Sequence, residues 1–247
     1  MVGRGTVRTE WRDRVVVVTI DRPDRRNAVD LATLEALIEA QAAARAGGAR
    51  VLVLTGEPPA FCAGADLTGV DAGDFAAALS AVLRGFTELG FVTIAAIDGP
   101  ALGAGTQLAV ACDLRVATAS SPLGIPAAKL GLVVDRWTVD RLVRELGAPV
   151  ARAMLLTAQT YTAEQLHSTG AVHRFGGLAE ALVWADELAA LAPLTMGAHK
   201  LALEGLATPP GADEVFEAAR QAAWASADAE EGRRAFLEKR RPRFEGR

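Results

Sequence analysis

Three short apolar runs constrain what this chain can fold into more than any other feature: Val15–Ile20 (VVVVTI), Val51–Leu54 (VLVL) and Val92–Ile97 (VTIAAI). The first two are β-branched and continuous rather than alternating, which is the pattern of a strand buried on both faces. Between them Leu31, Leu34, Leu37 and Ile38 recur at helical spacing and stop at Gly47-Gly48. Phe75, Leu79, Val82, Phe86 and Leu89 repeat the helical pattern, and Leu114–Ala117 forms a further short strand. Strands alternating with helices define the α/β class. Periodicity by itself leaves a doubly wound sheet and other parallel arrangements open. From Asp140 onward the chain is alanine-rich and almost wholly helical in pattern, with breaks at Gly147-Ala148-Pro149, Gly170, Gly176-Gly177 and Pro209-Pro210-Gly211.

A chain of 247 residues suffices for one domain, which at this length buries roughly 70–75% of the unfolded surface. A net charge of −4 argues against general nucleic-acid binding. No apolar run is long enough for a membrane span, and the opening MVGRGTVRTEWRDR has no apolar signal core, so a cytoplasmic protein is expected. Cys62 and Cys112 sit in apolar surroundings without a C-x-x-C pairing and read as buried free thiols. His167, His173 and His199 fit no zinc spacing, and no G-x-S-x-G, P-loop or G-x-G-x-x-G opens a helix. Neither metal nor cofactor is expected.

The chemistry concentrates in Ala95–Ala117 (AAIDGPALGAGTQLAVACDLRVA). The apolar strand stops at the turn Asp98-Gly99-Pro100, and Gly103 and Gly105 then open a short helix running through Leu108 and Ala111. The first N–H groups of a helix lack internal partners and carry the positive end of its dipole, so a glycine and alanine approach leaves them free for an anion or a developing oxyanion. Ala104 would present a bare amide there, with the Gln107 side chain one turn away on the same face. Phe61–Leu67 (FCAGADL) is a second small-residue loop after a buried strand, and its plainer reading is a turn in which Asp66 caps the next helix. Arg22, Arg25 and Arg26 follow a strand end within five residues. They read either as a solvated run or as a phosphate-binding cluster.

These stretches, DRPDRRNAV (Asp21–Val29), VLTGEPPAFCAGADL (Val53–Leu67) and GPALGAGTQLAVACDLRVA (Gly99–Ala117), together with FLEKRRPRFEGR (Phe236–Arg247), resemble the enoyl-CoA hydratase/isomerase, or crotonase, family. The resemblance implies a spiral of ββα turns over residues 1–190 and a C-terminal helical trimerisation and lid region over 191–247. It also implies a homotrimer or a dimer of trimers and a coenzyme-A thioester, acyl- or enoyl-CoA, as ligand. The amides of Ala65 and Ala104 would form the oxyanion hole. Arg25, Arg26, Ala28, Ala63, Gly64, Asp66 and Leu67 would hold coenzyme A, with Phe236 and Lys239 as a lid over its nucleotide end.

Family hydratases use two glutamates as general acid and base. Counted through the motifs, the first falls on Gln107 and the second on Ala127. An amide orients water but cannot take its proton at neutral pH, and a methyl does neither. The chain therefore resembles the subset of the family lacking both glutamates. Beyond this region Leu132–Thr138 (LVVDRWT) replaces a proline- and glycine-rich turn, leaving Trp137 as core or as a wall of the acyl pocket. Asp135 is the one candidate acid/base, provided that Val133, Val134 and Trp137 desolvate it; an arginine partner would make it structural instead. Two functions are expected to compete: an acyl-CoA-binding protein without hydratase turnover, and an active enzyme of fatty-acid metabolism that uses Asp135.

Overall fold

The computed structural model describes residues 6–66, 72–205 and 214–247. The β-branched runs become the central strands of a six-stranded sheet ordered β1-β2-β3-β4-β6-β9: β1 is Val7–Arg12, β2 Val15–Ile20, β3 Val51–Gly56, β4 Val92–Ile97, β6 Leu114–Ala117 and β9 Arg174–Phe175. β1 and β2 pair antiparallel and every later pair is parallel. A smaller sheet, ordered β5-β7-β8, joins β5 (Ala101–Leu102), β7 (Pro122–Gly124) and β8 (Thr160–Thr162).

The continuous runs are buried on both sides because successive residues serve different cores. Val16, Val18, Ile20, Leu52, Leu54, Ala95 and Ile97 face the main cluster, whereas Val15, Val51, Val53, Ile94 and Val116 face Ala181 and Ala185 of α7 (Leu178–Ala189). Each such side chain removed from water contributes about 1.5–3 kcal/mol before chain entropy is counted. On the main-cluster side lie α1 (Leu31–Ala46), α2 (Ala72–Glu88) and α3 (Ala104–Ala111). Asp30 caps α1 by accepting from the Thr33 amide at 2.9 Å. Gly47 ends that helix in ordinary right-handed geometry, so its glycine has another cause: a Cβ would sit 2.4 Å from the Trp11 ring of β1.

Among the described residues six more helices follow: α4 (Arg136–Leu146), α5 (Ala148–Thr157), α6 (Ala163–His167), α8 (Pro193–Glu204), α9 (Glu214–Trp224) and α10 (Ala227–Leu237). The buried Lys200 ties α8 to the end of α2 and to the entries of β4 and β6 through the carbonyls of Phe86 and Phe91 and the Asp113 carboxylate at 2.8–3.0 Å. The last residues fold back: Asp228 accepts from the amides of Glu245 and Gly246, and Arg50 donates to the carbonyls of Ala189 and Phe244. Among the described residues no helix is long and apolar enough to cross a membrane.

His173 is held neutral in this framework. Its Nδ1 accepts from the Arg115 amide at 3.1 Å, and burial, reinforced by the Arg115 charge, lowers its pKa to about 4. Between pH 6.5 and about 4 the unfolded chain therefore binds a proton here that the folded chain refuses, so stability is complete above that window and declines as pH falls through it. The melting temperature, measured from pH 7 to pH 4, is expected to drop less in His173→Gln than in the wild type.

Candidate functional site

Two loops at the carboxyl ends of β3 and β4 meet in front of α3. Cys62 bridges Ala101, with the Cys62 amide donating to the Pro100 carbonyl and the Leu102 amide donating back to that of Cys62, at 3.0 and 2.9 Å. Glycines make this approach possible. A Cβ on Gly105 would lie 2.1 Å from the Cys62 carbonyl oxygen, and one on Gly103 would lie 3.7 Å from the Gly64 Cα. Gly103, at φ +54°, turns the chain into α3, so Ala104 opens the helix. Ala65 bridges Val29 through the neighbouring groups, Val29 N–H to Gly64 O and Asp66 N–H to Val29 O, which leaves its own N–H pointing the other way. Neither the Ala65 nor the Ala104 amide has an acceptor among the described residues. Ala104 is buried and Ala65 half-buried, and both donors are free to meet an acceptor from outside.

Residues that the sequence reading passed over hold these loops. Thr106 donates from Oγ1 to the carbonyls of Ala101 (2.6 Å) and Gly124 (2.9 Å) and accepts from the Gly124 amide, stapling the first turn of α3 to β5 and β7. Asn27, fully buried at φ +58°, donates to the carbonyls of Glu57 and Ala60 at 2.7 and 2.6 Å and accepts from the Arg22 amide. It locks the arginine loop to the Ala65 loop. The only sequence signal for Asn27 was its residue type, since Asn tolerates the left-handed region.

Arg22 does not belong with the exposed cations. Its Nη2 lies 2.8 Å from Asp30 and 3.1 Å from Asp66, and Nη1 donates to the Ala28 carbonyl, which makes it an internal tie. Asp66 accepts from this guanidinium at 3.1 Å, and the residues that the helix-cap reading would involve, 67–71, lie outside the described ones. Arg25 and Arg26 are exposed and make no side-chain ion pair with a described residue. Ala63, whose amide donates to the Arg26 carbonyl, and Gly64, at φ +127°, lie beside them. Leu67 falls outside the described residues. Phe236 is in α10, and Lys239 is exposed just after it.

Gln107, 8% exposed on α3, makes no side-chain hydrogen bond with a described residue. Ala127 is half-buried against the main cluster in a 3-10 turn, Pro126–Leu130, which faces the start of α3 through Pro126, 4.0 Å from where a Gly103 Cβ would be. Asp135 is exposed and caps α4, accepting from the Thr138 amide at 2.9 Å. Among the described residues the apolar wall expected around it does not form: Val133 is 94% exposed, and Val134 and Trp137 pack against the main cluster. Arg136 pairs with Asp140 and not with Asp135. Among the described residues no group of three or more His, Cys, Asp or Glu could hold a metal ion. Both cysteines are buried free thiols, pushed up to about 12 by burial.

The sequence and the fold are shared with known proteins. Residues 10–247 match the sequence profile of the enoyl-CoA hydratase/isomerase family. A probable enoyl-CoA hydratase, echA6, of Mycobacterium tuberculosis is 41% identical over 239 residues, covering 95% of this chain and 97% of that protein. The 2,3-dehydroadipyl-CoA hydratase of Escherichia coli is 36% identical over 96% of this chain and 97% of its own. Among solved structures, an enoyl-CoA hydratase/carnithine racemase from Magnetospirillum magneticum superposes with a TM-score of 0.90 at 27% identity, over 99% of this chain and 97% of that one. The chain belongs to the enoyl-CoA hydratase/isomerase family and has its crotonase-like α/β fold.

Proposed function

We propose that this protein binds coenzyme-A thioesters, acyl- or enoyl-CoA, and does not hydrate them efficiently. The carrying observation is the pair of amides, Ala65 and Ala104, presented without acceptors by two loops that glycines hold in contact. In this reading they grip the thioester oxygen, and each such donor is worth about 2.7–4 kcal/mol where charge develops on that oxygen. Arg25 and Arg26, exposed and unpaired among the described residues, meet the phosphates, while backbone near Ala28 and Ala63 holds the pantetheine and adenine. The missing proton acceptors at Gln107 and Ala127 separate binding from hydration. Relatives named as hydratases support the ligand class but not turnover by this chain.

Calorimetry with a saturated acyl-CoA tests the reading. Binding is expected, and its absence at millimolar ligand would overturn the proposal. Arg25→Ala with Arg26→Ala should weaken binding about tenfold at low salt and less at high salt, because exposed ionic contacts are screened within a Debye length of about 8–10 Å.

A further inference from the structure

The far end of α3 is held by buried charge. Arg115, 2% exposed, donates from Nη1 to the carbonyls of Ala109 and Cys112 at 3.3 and 3.0 Å, and Arg141 Nε donates to that of Val110 at 2.6 Å. These carbonyls lie at the negative pole of the helix, where the intrahelical ladder runs out. Glu145 joins the two arginines, 2.5 Å from Arg115 Nη2 and 3.3 Å from Arg141 Nη2. Glu204 takes Arg141 at 2.7 Å and Arg144 at 3.4 Å. Arg115 and Arg141 are balanced by Glu145 and Glu204, and Arg144, on Glu204 farther out, brings the cluster to one net positive charge. At a rise of about 1.5 Å per residue, the carbonyl end that Arg115 holds stands about 12 Å from the Ala104 amide.

Burying such a network is a poor device for stability alone, since desolvation offsets much of the attraction. We propose that Arg115 is a positioning residue for the thioester carbonyl. Through the α3 carbonyls, and with Arg141 and Glu145, it fixes the helix and cancels its negative end, so that the Ala104 amide meets the ligand oxygen with the positive pole unopposed. The inference rests on the reading that Ala104 holds this oxygen.

The test compares the affinities of an acyl-CoA thioester and of its S-alkyl thioether, which has the same chain but no carbonyl, by calorimetry. The wild-type ratio is expected to favour the thioester. Arg115→Met should lower this ratio about three- to tenfold, the effect of one charge at about 12 Å on a partial to full negative charge at an effective dielectric of about 20. Glu145→Gln removes a negative charge from the same place and should raise it. Generic damage would move both variants the same way, so opposite signs are the signature of the electrostatic role. A wild-type ratio near one would overturn the Ala65 and Ala104 reading and this inference with it. A high wild-type ratio that both variants leave unchanged, or shift in the same direction, overturns the inference alone. Should Arg115→Met fail to fold, Glu145→Gln decides: a rise supports the proposal, and no change or a fall refutes it.

Discussion

Wild-type protein is expected to hydrate crotonyl-CoA at a rate no greater than buffer background. Attack of water on the β-carbon needs a group to take the proton and another to supply one at the α-carbon. The side chains at the two family positions, Gln107 and Ala127, do neither. A positioned acid or base contributes a factor of about 10²–10⁴, and although two such losses do not simply add, removal of both cripples turnover. The double change Gln107→Glu with Ala127→Glu should raise hydration at least about a hundredfold. Gln107 is nearly buried one turn after Ala104 on α3, and Ala127 sits on the turn packed near the start of that helix, so both substitutions fall close to the Ala104 amide in the chain's fold. Spectrophotometric loss of the enoyl thioester reads the outcome, and efficient hydration by the unmodified chain refutes the non-hydratase reading.

Gly105→Ala is expected to damage both stability and ligand binding. The backbone at Gly105 is ordinary helix, so the penalty is one of space: the new methyl would lie 2.1 Å from the Cys62 carbonyl oxygen and 3.0 Å from its carbon, and backbone atoms cannot rotate away. Such overpacking costs about 1–3 kcal/mol. In a domain of this size that lowers the melting temperature by about 2–12 °C. Because the movement that relieves it separates the Ala65 loop from α3, thioester affinity should fall more than affinity for free coenzyme A. Gly90→Ala, where a methyl meets nothing within 4 Å, is the matched control and should change neither. A Gly105→Ala protein with wild-type melting and affinity would mean that the loops are not apposed as described.

The central strands, α1, α2 and the turn into α3 were legible because burial on two faces and glycine punctuation leave direct marks on a sequence. β1 was not. VRTEWR is an exposed edge with one pairing partner, and its identity is decided by β2 and by the contact of Trp11 with Gly47. The small-residue loops of the candidate site were readable from their glycines and from the strand ends that precede them. The residues that fix those loops were not: Thr106 reaches the Gly124 carbonyl 18 residues away and Asn27 those of Glu57 and Ala60 30 and 33 residues away, and a hydroxyl or an amide shows no periodicity that would reveal such partners. Arg22 shows the same limit from the other side. Alongside Arg25 and Arg26 it looked like one of three equivalent cations, and only the placement of Asp30 and Asp66 distinguishes it. In sequence Asp135 stands between a shielded acid and a structural carboxylate, because neighbours in sequence do not say which way a side chain faces: Val133 is exposed and Asp135 caps α4.

The hydrogen bond from Arg50 to the carbonyl of Phe244 joins positions 194 residues apart. Strand pairing between β2 and β3 and the packing of α1 are local by comparison, and can assemble while most of the chain is still being synthesised. Closing a loop of that length from an open chain costs about 5 kcal/mol of entropy, far more than one hydrogen bond returns. The clasp therefore forms after the intervening elements have already drawn the two positions together. Its closure depends on that earlier packing, whereas the pairing of β2 with β3 does not depend on it.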